Sequence, residues 1–394
     1  MITVRLKPGR EGPVRAGHPW VFSGAIAHIE GEAPAGSLAH VLAADGSDVG
    51  IGYVNPRCSI AVRMLTRQPE AIDAAFLHRR VETALLLRRA VLPAGTTGYR
   101  LLNGEGDFLP GIVADVYDRF IVCQFLTAGA DRLKPLIVNA LVTLLSPQGV
   151  YEKSEGAVRR EEGLTNAAGL LWGAEPPPFL TIEENGCQFL VNIRGGQKTG
   201  FFFDQRDNRA LVGAFAAGKR VLNGFAYTGG FGIVAAKQGA TSVVSVDSSE
   251  AALHLARQNW QLNNLPEFQT QFVHADMFSY LREVGERFDT IILDPPPFIR
   301  RRHDLKAGVG GYKELNRQAF QRLKPGGYLY TFSCSQHLSA ADFFQTVMLA
   351  AAEARCEVQV LRHLAQAADH PVNLAHPEGG YLKGLWLRTG GCNT

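Results

Sequence analysis

The sequence predicts a multidomain α/β protein: a small all-β module, a compact α+β unit and a doubly wound parallel sheet. Three observations carry this. Residues 1–70 hold short strand-like runs broken by Gly, Pro and Asn-Pro turns. Residues 71–185 mix two helical patterns with a few strands. From residue 186 to 394, apolar strand-like runs alternate with helical ones, the pattern of a parallel sheet covered on both faces. A chain of 394 residues with 46% hydrophobic and 20% charged side chains is long enough for two or three such domains.

Taken in order, Ile2–Leu6, Trp20–Phe22, Leu38–Leu42, Ile51–Val54 and Ile60–Leu65 read as strands of a small barrel. An amphipathic helix follows over Ala71–Ala90. Phe76, Val81, Leu85 and Leu86 share its apolar face, and His78, Arg79, Arg80, Arg88 and Arg89 are expected in water. Strand-like pieces at Gly111–Val116, Phe120–Phe125 and Gly149–Lys153 surround a helix near Leu133–Leu145. Phe189–Val191 leads into the last region, where Arg220–Leu222, Ser242–Val246, Gln271–His274, Thr290–Leu293 and Tyr328–Ser333 are successive buried strands. A helix over Ser339–Ala354 and the strands Glu357–Leu361 and Tyr381–Arg388 close the sheet, the last strand antiparallel.

The turn Asn223-Gly-Phe-Ala-Tyr-Thr-Gly-Gly-Phe-Gly232 follows the first of these strands, where glycines let a ligand approach backbone amides at a helix start. Asp247 ends the second strand, the place of a carboxylate that accepts from ribose hydroxyls. NAD and S-adenosylmethionine compete for such a site, and the turn lacks the GxGxxG spacing that seats a pyrophosphate. Asp276, after the third strand, is either an adenine-side ligand or a helix cap. Prolines stiffen the loop Asp294-Pro-Pro-Pro-Phe298 at the carboxyl end of the sheet, where ligands bind in such folds.

Cys334 stands at the end of the adjacent strand, between Ser333 and Ser335. Carbon 5 of cytosine is too electron-poor to take a methyl group unaided, and a thiolate adding at C6 activates it. Cys334 is the expected nucleophile, Asp294 the group that hydrogen-bonds the N3/N4 edge, and Glu378 or a water the acceptor of the C5 proton.

These residues resemble a known family, the large-subunit ribosomal RNA cytosine-5 methyltransferases built from a PUA domain, a small central domain and a class I methyltransferase domain with a Rossmann-like sheet. The likeness covers the whole chain. It is carried by Leu6-Lys-Pro-Gly-Arg10, His18-Pro-Trp-Val-Phe-Ser-Gly24, Leu102-Asn-Gly-Glu-Gly-Asp107, Lys198-Thr-Gly-Phe-Phe-Phe-Asp-Gln-Arg-Asp-Asn-Arg209, and the Asp294 and Cys334 motifs. The resemblance implies a PUA-like barrel at 1–70, a central domain at 71–185 and a methyltransferase domain at 186–394. It also implies S-adenosylmethionine as cofactor, with Gln205 and Arg206 at its methionine end. Asn223, Gly224, Phe225, Tyr227, Thr228 and Gly229 would form the cofactor turn, Asp247 and Ser248 would lie at the ribose, and Asp276 and Met277 on the adenine side, with Asp294 closing the site. Pro297 stands where the family often has Lys or Ser, and related enzymes also methylate guanine, so the modified base stays open.

A net charge of +3 does not establish a nucleic-acid partner, so local clusters must. Arg5, Lys7 and Arg10 on the PUA-like module, and Arg300, Arg301 and Arg302 after the Asp294 loop, are the expected RNA contacts. Large-subunit ribosomal RNA is the expected partner, and a homodimer is an assembly left open. The Leu136–Leu145 stretch is too short to span a bilayer of ~30 Å, the six cysteines show no CxxC spacing, and no metal site is expected. The chain is expected to be soluble and cytoplasmic, with reduced thiols.

Overall fold

The computed structural model describes residues 2–196 and 199–392; Lys198, the first residue of the Lys198–Arg209 motif, lies outside them. The first sheet consists of Ile2–Leu6 (β1), Trp20–Phe22 (β2), Ile26–Glu30 (β3), Ser37–Leu42 (β4), Asp48–Val54 (β5) and Ile60–Thr66 (β6), in the order β2-β6-β5-β4-β1-β3. Alternate residues such as Val4 and Leu6, Ala39 and Val41, and Val62 and Met64 bury in one core, as a two-residue side-chain period requires.

The connecting helix is Ala74–Val91, and Asp73 starts it by accepting from Phe76 N at 2.9 Å. Two expectations fail here. Leu86 is 57% exposed, while Arg88 is fully buried. The Arg88 Nη2 donates to Asp107 Oδ2 (2.7 Å) and to the Asp369 carbonyl (2.8 Å), and its Nε to the Arg100 carbonyl (2.9 Å). A helical period marks faces but cannot show that a buried carboxylate awaits one of the arginines.

Gly98–Asn103 (β7), Ile112–Tyr117 (β8), Phe120–Phe125 (β9), Gly149–Ser154 (β10) and Ala167–Gly173 (β11) make the second sheet, in the order β11-β10-β9-β8-β7. The helix that packs on it, Ala128–Leu145, starts earlier than the apolar pattern suggests because Thr127 caps it, accepting from Ala130 N at 3.3 Å. Tyr53 and Leu65 of the first sheet lie in the core of the second. Packing therefore gathers residues Met1–Ile182, Val191–Phe203 and Ala368–Gly379 into one unit.

A hairpin of Leu180–Glu184 (β12) and Cys187–Val191 (β13) precedes the last sheet. The other unit comprises Glu183–Leu190, Asp204–Ala367 and Gly380–Thr394. Its seven strands are Arg220–Gly224 (β14), Ser242–Asp247 (β15), Thr270–His274 (β16), Phe288–Leu293 (β17), Leu323–Ser333 (β18), Cys356–Leu364 (β19) and Lys383–Cys392 (β20). Their order is β16-β15-β14-β17-β18-β20-β19. The first five are parallel and β20 is antiparallel to both its neighbours. Helices such as Glu250–Leu262 and Leu305–Arg322 connect the strands, and Leu222, Val244, Ile291 and Leu329 share one core with Tyr312 and Leu315 of the second.

The register of β19 against β20 sets Cys356 opposite Cys392, and the two form a disulfide. Cysteine spacing could not show this pairing, and the inference of reduced thiols does not extend to it. No helix among the described residues is long and apolar enough to cross a membrane.

Replacing Asp107 by Ala should cost about 3–5 kcal/mol in chemical denaturation, because it leaves the Arg88 charge buried without its carboxylate.

Candidate active site

The turn after β14 is strained where it must be tight. Phe225 (φ 58°), Tyr227 (φ 47°) and Gly229 (φ 87°) are left-handed. Two interactions hold this shape. Asp247, at the end of β15, accepts from Tyr227 N through Oδ2 and from Ser249 N through Oδ1, both at 2.8 Å. Asn259, fully buried, donates from Nδ2 to the Thr228 carbonyl (3.0 Å) and accepts from Leu190 N (2.7 Å), so it links the turn to the hairpin. Gly224 leaves the floor of the turn flat: a Cβ there would meet Met277 Sδ at 2.8 Å.

Asp276 is the N-cap of helix Met277–Glu283, accepting from Ser279 N at 3.0 Å, and Met277 is buried beside Gly224. Ser248 follows Asp247, and its carbonyl lies 3.0 Å from His274 Nε2. Asn223 is buried, its Nδ2 3.5 Å from Ser245 Oγ. Gln205 and Arg206 are also buried. The Gln205 Oε1 accepts from Asn208 (2.6 Å), while its Nε2 finds no partner among the described residues. Arg206 Nε sits 3.3 Å from Glu184 Oε2, and Arg209 binds the same carboxylate through both oxygens (2.6 and 2.8 Å). Asp204 organises the segment, accepting from Tyr381 Oη at 2.6 Å.

Strands β17 and β18 run in parallel with Leu293 opposite Thr331, which brings the Asp294 loop and the Ser333-Cys-Ser335 motif to one edge. Cys334 Sγ lies 4.0 Å from the Pro295 carbonyl. The hydroxyl of Ser335 braces the loop, accepting from Ile299 N (3.2 Å) and lying 2.9 Å from the Tyr312 hydroxyl. Asp294 and Cys334 are half-buried, whereas burial pushes the Tyr312 phenol up. Lys383, whose importance did not show in its sequence, pairs with Ser333 across β18 and β20 and donates from Nζ to the Ser335 carbonyl at 2.6 Å.

The other predicted residues stand on other elements. Glu378 belongs to the unit built on residues 1–182, its Oε2 3.8 Å from Nε2 of both His18 and His376. Arg5 lies 3.8 Å from Glu30, Lys7 donates to the Gly24 carbonyl (2.8 Å), and Arg10 is exposed. Arg300, Arg301 and Arg302 are exposed in the loop after Phe298. No group of three or more His, Cys, Asp or Glu among the described residues could hold a metal ion.

The model of the S-adenosylmethionine-dependent methyltransferase family matches residues 156–376, and that of a PUA-like domain matches residues 4–67. The chain is 45% identical over 392 residues to "Ribosomal RNA large subunit methyltransferase I" of Aeromonas salmonicida, covering 98% of this chain and 99% of that one. It is 46% identical to the protein of the same name in Photobacterium profundum, over 97% and 98% of the two chains. A candidate S-adenosylmethionine-dependent methyltransferase from Streptococcus mutans has the same fold, with a TM-score of 0.84 at 24% identity over 98% and 100% of the chains.

Asn259→Leu removes a donor and an acceptor at once and leaves the Thr228 carbonyl and Leu190 N buried without it. Thermal and denaturant unfolding should report a loss of about 2–4 kcal/mol.

Proposed function

Given that the chain belongs to the S-adenosylmethionine-dependent methyltransferase family and carries a PUA-like domain, we propose that it methylates C5 of a cytosine in large-subunit ribosomal RNA. The observation that carries the reading is Cys334, half-buried at the end of β18 beside the Asp294–Phe298 loop. The names of the relatives support the ribosomal substrate.

The residues present fit the cofactor. Asp247 ends β15 where a ribose diol would meet a carboxylate and holds the left-handed turn at Tyr227 N, Gly224 lets Met277 pack against the strand end, and Gln205 Nε2 is a buried donor in need of an acceptor. Asn223, Phe225, Tyr227, Thr228, Gly229 and Ser248 would line the same site, with Asp276 and Met277 on the adenine side. Arg206, held on Glu184, would act at the methionine end through its charge. When bound, S-adenosylmethionine would supply an electrophilic methyl group on a sulfonium, whose sulfur would keep the pair of the broken carbon–sulfur bond and leave as a neutral thioether.

Cys334, as the thiolate, forms a bond from Sγ to C6 of the cytosine, and the electron pair of the 5,6 double bond moves to C5, the carbon that takes the methyl group. Asp294, carrying a proton, hydrogen-bonds N3 and stabilises the charge that reaches it. Glu378 or a water takes the C5 proton, the electrons of that bond restore the double bond, and Sγ leaves C6 as thiolate. Arg300, Arg301 and Arg302 hold phosphates beside the flipped base, and Arg5, Lys7 and Arg10 hold RNA on the PUA-like module.

With labelled S-adenosylmethionine and unmodified large-subunit RNA, wild type should yield labelled 5-methylcytosine and Cys334→Ala none. Label on a guanine, or full activity of the variant, would overturn the reading. Changing Arg300, Arg301 and Arg302 together to Ala should flatten the slope of log affinity against log salt by roughly 0.7–0.9 for each phosphate that is no longer neutralised.

A further inference from the structure

Lys383 is 9% exposed, yet no carboxylate lies within ion-pair distance of it among the described residues. Its backbone faces Ser333, the residue before Cys334, and its Nζ bonds the carbonyl of Ser335, the residue after it. The ammonium thus spans the Cys334 position. Burial pulls the Lys383 amine down, and the facing Cys334 opposes that pull. A buried cation with only a neutral carbonyl for a partner is costly, and an anion beside it relieves the cost. Tyr312 of helix Leu305–Arg322 also faces the thiol; Asp294 precedes Pro295, whose carbonyl lies 4.0 Å from Sγ, and His337 follows three residues on, exposed. Burial keeps the Tyr312 phenol protonated, and Asp294 brings no positive charge, so of these groups Lys383 is the buried cation.

We propose that Lys383 is a positioning residue for the nucleophile, the counter-charge that holds Cys334 as a thiolate ready to attack. The thiolate and ammonium together bury no net charge, which neither group achieves alone. This rests on Cys334 being the nucleophile of the proposed methyl transfer. Alkylation reads the thiolate with no RNA and no methyl donor, so failure of this inference and failure of that reaction are separable.

The experiment is the rate of iodoacetamide alkylation of Cys334 against pH, followed by mass spectrometry of its peptide in the full chain. Cys58, whose thiol burial pushes up to about 11, serves as the slow reference in the same digest. Lys383→Met should slow alkylation at neutral pH about tenfold, the loss of one pH unit in thiolate acidity, with the rate recovered at alkaline pH. Lys383→Arg should restore most of the neutral-pH rate. Identical profiles for wild type and Lys383→Met would overturn the proposal. Should the methionine variant not fold, the wild-type profile decides: an inflection below the ordinary thiol value of about 8.5 supports the pairing, and one at or above it overturns it.

Discussion

Strand β18 lies between β17 and β20, and its two ladders fix the chemistry of the seven-stranded sheet. The parallel ladder to β17 brings the Asp294 loop level with the end of β18; the antiparallel ladder to β20 sets Lys383 opposite Ser333. A slip by one residue in either ladder would turn Cys334 or Lys383 to the other face, since successive strand residues alternate. The core beneath guards against such a slip: Leu329, Ile291 and Leu387 pack in one cluster, and the strand that slipped would turn its own member out of it.

The cofactor turn depends on support of another kind. Two non-glycine residues in left-handed conformations cost energy locally, and the Asp247 carboxylate and Asn259 amide recover it by satisfying the backbone they expose. Asn259 shares this work with hairpin β12–β13, and Glu184 of the same hairpin lies against both Arg209 and Arg206. A short hairpin outside the main sheet thereby sets both the turn and the segment that precedes β14.

Most of the fold was legible because buried parallel strands have a plain signature: Val243–Val246 and Thr290–Leu293 are short apolar runs ending in an acidic residue. Asp247, Asp294 and Cys334 could be placed for the same reason, since each stands at the end of such a strand. What escaped depends on register or on distant partners. Arg88 looks like any solvent-facing helix arginine until Asp107 and Asp369 close on it. Cys356 and Cys392 stand 36 residues apart and meet only through strand pairing. Lys383 in Tyr381-Leu-Lys383 is an ordinary strand lysine until β20 is aligned with β18. Glu378 was chosen for its chemistry alone, and its 3.8 Å approach to His18 and His376 could not be read from its position in the chain.

The segment Ala368–Gly379 is encoded between β19 and β20 but belongs with the N-terminal unit. There the Asp369 carbonyl completes the Arg88 guanidinium, its carboxylate accepts from Arg100 N (3.0 Å), and the Pro371 carbonyl accepts from Asn103 (3.1 Å). Three polar groups of the first half of the chain thus find partners in a segment that is synthesised more than 260 residues later. A chain cut before residue 368 would lack the acceptors that Arg88, Arg100 and Asn103 use here.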